Sequence, residues 1–157
     1  LYLFDSEPKI QLLLDCLDLM ECINDVLSTT ISQTTKQLRK LENSRHAHNH
    51  YAQLSEQLQT LFLNSVKGYV LRELLPKIRD SETTIDWEIN IKLGVGEKFK
   101  FLALSAFEDI VYGLGTSAKT MEWTVFAKNT LIKTIATCMK GGWKDDSEQR
   151  KARTKNE

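Results

Sequence analysis

The sequence predicts a mainly α protein, an antiparallel helical bundle that carries one small β-hairpin. Between residues 31 and 75, apolar residues recur at steps of three and four with no proline and a single glycine, as in amphipathic helices. Later in the chain, the stretch IDWEINIKL alternates apolar and polar residues one by one, which is typical of a half-buried strand. With 157 residues and 41% hydrophobic content, the chain is long enough for a single domain with its own core.

The first helix is predicted over residues 8 to 28. Ser6 can cap its amino terminus, and Pro8 suits a first turn because no backbone N–H is needed there. The segment 28–30, STT, consists of weak helix formers, so we expect the chain to turn or kink there. The apolar positions that define this helix are Ile10, Leu13, Leu14, Leu17, Met20, Ile23, Val26 and Leu27.

A second helical region is predicted from Ile31 to Leu75, as one long helix or as two joined helices. Pro76 is expected to end it, and the polar segment DSETT to form a loop. The region keeps helical spacing through Leu38, Leu41, Leu54, Leu58, Leu61 and Phe62. Polar residues replace the apolar stripe between Leu41 and Leu54, and burying such groups without partners is costly. This part of the helix is therefore expected to face solvent or to line a site.

The hairpin is predicted from strands over residues 84 to 93 and 97 to 104. Gly94 and Gly96 would supply the turn between them. The alternating apolar positions are Ile85, Trp87, Ile89, Ile91 and Leu93 in the first strand and Phe99, Phe101 and Ala103 in the second.

Two more helices are predicted over residues 105 to 140. Ser105 and Glu108 form a capping box that opens a short helix to about Tyr112. Thr116 or Ser117 can cap the last helix, which would end near the glycine pair at 141–142. Residues 144 to 157 have no apolar face and are predicted to be a disordered tail, so residues 1 to 143 form one domain.

Composition gives little information about partners. Lysine plus arginine and aspartate plus glutamate number 21 each, so no global field attracts nucleic acid or an anionic membrane. The three cysteines, Cys16, Cys22 and Cys138, lack paired spacing and are interpreted as buried thiols of a reducing, cytoplasmic compartment. No uncharged stretch approaches a membrane span, so no membrane partner is expected. Because the sequence begins with Leu1, we expect it to be a fragment.

All three histidines lie in one short segment, SRHAHNHY, at residues 44 to 51. Arg45 and His50 form an R-x4-H pattern in which the polar His46 directly follows the arginine. The pattern resembles that of the HEPN superfamily of helical ribonucleases and toxins. The flanking segments LRKLENSRHAHNHY and LFLNSVKGYVLRELLPKI are also similar to the helices around that motif. The resemblance covers residues 8 to 78, and histidine stands where the family usually has asparagine.

The resemblance implies a metal-independent endoribonuclease that cuts single-stranded RNA and needs no cofactor. It implies that Arg45 stabilises the phosphate, that His50 transfers protons and that His46 orients the pair. Arginine and histidine suit these roles, since one is a permanent cation and the other titrates near neutral pH. The resemblance also implies that two protomers share one site, so a homodimer or a larger assembly is expected, in antiviral defence or as a toxin.

Three other interpretations of the segment stay open at this point. It could be a solvent-exposed turn of a non-catalytic helical interaction module, with Arg45 paired to Glu42 or Glu56. His46 and His50, four residues apart, could chelate zinc or nickel with Glu42 or Asn49 nearby. The SRH triplet is also similar to the phospho-accepting helix of histidine kinases, although a nucleotide-binding loop of the kinase type is absent.

Overall fold

The computed structural model of this chain describes the backbone of residues 6–39, 45–114 and 117–156, and side chains within 6–36, 52–114, 117–118 and 120–140. Within these ranges every regular element is helical, which confirms the mainly α class. Four of these elements are long helices. A π-helical turn and one short helix connect the second long helix to the third. The elements are α1 (Glu7–Arg39), α2 (Arg45–Tyr69), the π-helical turn (Val70–Leu74), α3 (Leu75–Asp80), α4 (Ile85–Tyr112) and α5 (Ala118–Asn156).

The four long helices pack as a bundle. Helix α1 contacts α2 and α5 on either side and reaches α4 across the bundle, while α4 packs against α2 and α5. Helices α1 and α2 run antiparallel, because Asn24 donates to Gln59 at 3.3 Å while Lys36, further along α1, shares a cleft with Ala52, earlier in α2. The other long helices follow one another through short connections, so each folds back along its predecessor.

Each helix contributes a buried series whose members are three or four residues apart, so that they lie on one side of the helix. Phe99 of α4 is central, since its ring meets Phe62 at 6.4 Å and Tyr69 at 6.1 Å between centroids, both edge to face. The series are Leu12, Cys16, Leu19, Ile23, Leu27 and Ile31 in α1; Leu54, Leu58, Phe62 and Val66 in α2; Ile91, Val95, Phe99, Ala103 and Phe107 in α4; and Trp123, Ala127, Leu131 and Ile135 in α5.

The predicted β-hairpin over residues 84 to 104 is wrong, because this segment belongs to the single helix α4. Thr84 caps the helix by accepting from the Trp87 backbone N–H at 3.0 Å. Gly96, assigned to the turn, is buried within the helix. The alternation was misleading because every second residue includes every fourth, and the buried series of α4 runs in steps of four. Packing against α2 and α5 then outweighs the preference of isoleucine for strands.

Other expectations also differ from the structure. Pro76 lies within α3 and does not end the helical region, and Ser105 lies within α4 and does not open a new helix. Helix α1 continues through the predicted kink at residues 28 to 30 as far as Arg39, and the Thr34 hydroxyl bonds back to the Thr30 carbonyl at 2.8 Å. Residues 144 to 157, expected to be disordered, continue α5 as far as Asn156. That segment is rich in lysine, arginine, glutamate and glutamine, which are good helix formers even without an apolar face.

The cysteine interpretation is wrong for two of the three residues. Cys22 of α1 and Cys138 of α5 form a disulfide, with their Cα atoms 6.4 Å apart. Cys16 is free and buried, and burial raises the pKa of its thiol to about 12, with the Lys92 ammonium acting in the opposite direction. Cys16 is therefore a neutral core thiol at physiological pH.

A buried ion pair joins α1 to α4 across the bundle. The Lys92 ammonium lies 3.1 Å from a carboxylate oxygen of Asp15, and the two side chains are only 11% and 3% exposed. Lys92 also pairs with Glu88 one turn earlier at 3.4 Å, and Gln11 donates to Asp15 at 3.0 Å. A charge in such a place is stable only while its partners remain.

Reduction of the Cys22–Cys138 disulfide is expected to lower the melting temperature by about 10 °C. The two cysteines are 116 residues apart. Closing a loop of that length lowers the conformational entropy of the unfolded chain, which raises the free energy of unfolding by about 4 to 5 kcal/mol. Circular dichroism melts with and without dithiothreitol measure the effect. A Cys22→Ala, Cys138→Ala variant is the control and should melt at the reduced temperature under both conditions. Identical wild-type melts would show that the bond contributes nothing.

The substitution Lys92→Met is expected to cost about 3 to 5 kcal/mol of unfolding free energy, because it removes the Lys92 ammonium that lies 3.1 Å from the buried Asp15 carboxylate. Adding Asp15→Leu should recover most of that loss. Lys128→Met is the matched control, since it breaks the exposed Lys128–Glu108 pair at 2.7 Å and should cost under about 1 kcal/mol. Urea unfolding compares the variants, and equal losses in both lysine variants would contradict the interpretation.

Candidate functional site

The three residues of the R-x4-H pattern all lie in the first two turns of α2. Arg45 is the first residue of that helix, and His46 and His50 follow within it. The side chains of Arg45, His46 and His50 lie outside the described residues, and so do Glu42 and Asn49, the other ligands considered for a metal. The structure thus places the motif at the start of α2.

The helical backbone limits what one copy of the motif can do. The backbone is α-helical from Arg45 onward, with no break before His50. Two positions five apart on a helix differ by about 140° around its axis and by about 7.5 Å along it. Arg45 and His50 of one chain therefore occupy different sides of α2.

A cleft of about 220 Å³ opens between α1 and α2 close to the motif. Helix α1 contributes Ser28, Ile31, Ser32, Thr35 and Lys36, and α2 contributes Ala52 and Ser55. Ala52 follows His50 by two residues, so the cleft lies beside the helical turns that carry the pattern. The described lining residues include four hydroxyl groups and one ammonium, and none of them is acidic.

Thr35 is the most informative residue of this cleft. The residue is 5% exposed, and its Oγ1 has no hydrogen-bond partner among the described residues. A buried hydroxyl without a partner is destabilising, so such groups call for an explanation. The neighbouring Thr34, also buried, satisfies its hydroxyl on the Thr30 carbonyl at 2.8 Å.

The chemistry of the cleft suits an anion. Hydroxyl groups donate hydrogen bonds to phosphate or carboxylate oxygens, and the exposed Lys36 adds a positive charge at the same place. Ser55 already accepts from Gln59 at 3.2 Å, which leaves its own O–H available as a donor. The cleft could therefore hold one phosphate group close to the first turns of α2.

Sequence reasoning did not find this cleft. Within the hydroxyl-rich run STTISQTTK at residues 28 to 36, the sequence predicts only a turn or kink over 28–30 and the start of the second helical region at Ile31. Its signal is four-residue spacing, since Ser28, Ser32 and Lys36 lie on one side of α1. The pairing with Ser55 of α2 could not be inferred without knowing how the two helices align.

Two features are absent from the described residues. No group of three or more histidine, cysteine, aspartate or glutamate side chains there is arranged to hold a metal ion. No helix in the same part of the chain combines the length and apolar character needed to cross a membrane. Comparisons with protein-family models, with curated proteins and with solved structures yield no match, so they carry no argument about function.

Thr35→Val is expected to leave stability unchanged or to raise it by about 1 kcal/mol, because it replaces an unpartnered buried hydroxyl by a methyl group of similar size. Thr34→Val is the matched control and should lose about 1 kcal/mol with its bond to Thr30. Urea unfolding of both variants measures the difference. An equal loss in Thr35→Val would mean that this hydroxyl already has a structural partner.

Proposed function

We propose that this chain is a metal-independent endoribonuclease of the HEPN type, acting on single-stranded RNA at a composite site between two copies. One observation carries the proposal beyond the R-x4-H pattern itself. A cleft with hydroxyl groups, the Lys36 ammonium and the unpartnered Thr35 lies between α1 and α2, beside the turns that contain the motif. A phosphodiester bound there would lie on the side of α2 that carries Arg45, which precedes Ala52 by seven residues, and the histidine of the site would come from the second copy.

The chemistry uses the 2′-hydroxyl of the substrate as the nucleophile. His50 accepts the proton of that hydroxyl, and the oxygen attacks the adjacent phosphorus. Arg45 stabilises the negative charge that builds on the phosphate oxygens, and His46 orients the pair. The bond to the 5′-oxygen of the next nucleotide breaks, and a proton supplied by the second histidine reaches that oxygen. The products are a 2′,3′-cyclic phosphate and a free 5′-hydroxyl.

The helix geometry supports a site formed by two copies. Because Arg45 and His50 of one chain are about 140° apart around α2, one phosphate cannot easily meet both. A two-fold axis beside the amino-terminal turns of α2 would bring the Arg45 of one copy towards the His50 of the other. A homodimer or a larger assembly with two arginines and two histidines in one groove is therefore part of the proposal.

A role in antiviral defence or as a toxin, in the cytoplasm, completes the proposal. The Cys22–Cys138 disulfide argues against a cytoplasmic location, because cytoplasmic thiols are normally kept reduced. In the cytoplasm, the bundle would have to hold together through its apolar core with these two residues as thiols.

A non-catalytic interaction module is the second candidate, and one observation favours it. Ile85, Ile89 and Leu93 follow one another at four-residue steps on α4 and are 85%, 54% and 64% exposed. Such a stripe on a helix is typical of a surface that packs against another helix. This function would leave Arg45 and His50 without a chemical role.

The purified protein is expected to cut single-stranded RNA in the presence of a metal chelator and to leave a cyclic phosphate, since the proposed site contains no metal. DNA of the same sequence should remain intact because it lacks the 2′-hydroxyl. His50→Ala should lower the rate by roughly a hundredfold or more, and Arg45→Ala by a similar factor. Gel electrophoresis with end-group analysis measures both.

His48→Ala is the internal control for the pattern, because it removes a histidine of the same segment that is not part of R-x4-H, and it should change little. The rate per chain should also rise with protein concentration, since two copies form each site. Cleavage that survives both Arg45→Ala and His50→Ala would rule out the proposed chemistry. Cleavage that disappears with the chelator would instead favour His46 and His50 as metal ligands.

A further inference from the structure

A second cavity, of about 260 Å³, lies between α2 and α4, away from the motif. Ser65, Gly68 and Tyr69 line it from α2, Arg72 and Glu73 from the π-helical turn, and Lys98 from α4. Two cations and one carboxylate thus share a small space that also contains two hydroxyl groups. Nothing in the proposed cleavage chemistry uses these residues.

The backbone around this cavity is unusual. Helix α2 passes into a π-helical turn at Val70–Leu74, where the Leu75 N–H donates to the Val70 carbonyl five residues back. Single π-helical turns within α-helices are frequent at functional sites, because they alter which side chains share a face. Here the π-helical turn carries Arg72.

Gly68 allows the Arg72 side chain to lie against the helix. A Cβ atom on Gly68 would be 2.5 Å from the Arg72 Nη2 atom and 3.3 Å from its Cζ atom. The guanidinium group therefore occupies the space that a larger residue would fill. Arg72 is exposed and has no ion pair with another described residue, so its donors remain available.

Lys98 approaches the cavity from the opposite helix. Its ammonium lies 5.6 Å from the Tyr69 ring centroid and 5.7 Å from that of Phe101, between two aromatic rings. The rings position the cation without neutralising its charge. Phe101 is 62% exposed beside it, so an aromatic surface adjoins the two cations.

We propose that the Arg72–Lys98 cavity is a phosphate-binding anchor for the RNA strand, a deepening that rests on the proposed ribonuclease function. Arginine and lysine bind a backbone phosphate, with Ser65 as a hydroxyl donor, and a neighbouring base stacks on Phe101. The cavity and the α1–α2 cleft are both on α2, where Ala52 and Gly68 are about 24 Å apart along the axis and about 160° apart around it, so a strand that joins the two sites crosses the exposed side of the helix. A strand of several nucleotides spans that distance, which favours RNA over a free phosphate ion.

Gly68→Ala tests the anchor without removing a charge. The new methyl group must displace the Arg72 guanidinium, whereas the helix itself should tolerate alanine, so the melting temperature should stay the same or rise. Binding of a short fluorescent oligouridylate, measured by anisotropy in the His50→Ala background, is expected to weaken roughly tenfold in Arg72→Ala, and about threefold in Gly68→Ala because the shifted guanidinium keeps its charge. Arg72→Ala should also reduce the slope of log affinity against log salt by about 0.7.

Lys133→Ala is the matched control, because it removes one exposed charge on α5 outside the cavity and should change affinity by less than about twofold. Equal affinities in wild type, Gly68→Ala and Arg72→Ala would overturn the anchor, as would Arg72-dependent binding of inorganic phosphate without binding of RNA. Cleavage of a dinucleotide substrate distinguishes the two proposals. If the anchor alone fails, Arg45 and His50 still govern dinucleotide cleavage. If the ribonuclease function fails, RNA binds through Arg72 and is not cut.

Discussion

The ion pair between Asp15 and Lys92 constrains how the bundle can assemble. Both groups are almost completely buried, and a lysine ammonium leaves water only where carboxylates replace its solvation. Lys92 adjoins the first residue of the buried α4 series, Ile91, and Asp15 precedes the core residue Cys16 in α1. A rotation or slide of α4 would separate the pair and would also move Phe99 away from the aromatic rings of α2. Electrostatics therefore selects one alignment of the helices, and the apolar core stabilises that alignment.

The spacing of apolar residues explains why the sequence predicted the helices of the first half of the chain but not α4. In α1 and α2, the apolar steps mix three and four residues, and only a helix matches that spacing. In IDWEINIKL the apolar residues alternate, so both a strand and a helix place some of them together. A strand would place Lys92 on the solvent-facing side and Ile89 and Leu93 inside, whereas in the structure the Lys92 side chain is only 11% exposed and both apolar residues are exposed. Only long-range contacts to Asp15 and the other helices decide between the two.

Of the functional features, the motif could be found from the sequence, whereas the two cavities could not. The pattern of Arg45, His46 and His50 is local in sequence, so the chain alone suggests a site there, and the structure adds their place at the start of a regular helix. The α1–α2 cleft and the Arg72–Lys98 cavity each combine residues from two helices that are distant in sequence. Their hydroxyl and basic residues look like ordinary surface residues until the helices are aligned. The role of Gly68 could not be predicted from the sequence either. It becomes clear only from the position of the Arg72 guanidinium, which lies where a side chain at residue 68 would be.

The Cys22–Cys138 bond also determines how the molecule responds to a cut chain. Most of the chain lies between the two cysteines in sequence. This part includes the connections after α1 and after α3, the motif, and the α2 and α4 residues of both cavities. A protease that opens the chain at either connection produces two pieces that stay covalently linked through α1 and α5. Each piece keeps its partner at a high effective concentration, so the bundle can remain assembled after the backbone is broken. In the oxidised protein, the bundle can therefore stay assembled even when the backbone is cut. After a thiol reductant breaks the disulfide, the bundle stays assembled only if the backbone is intact.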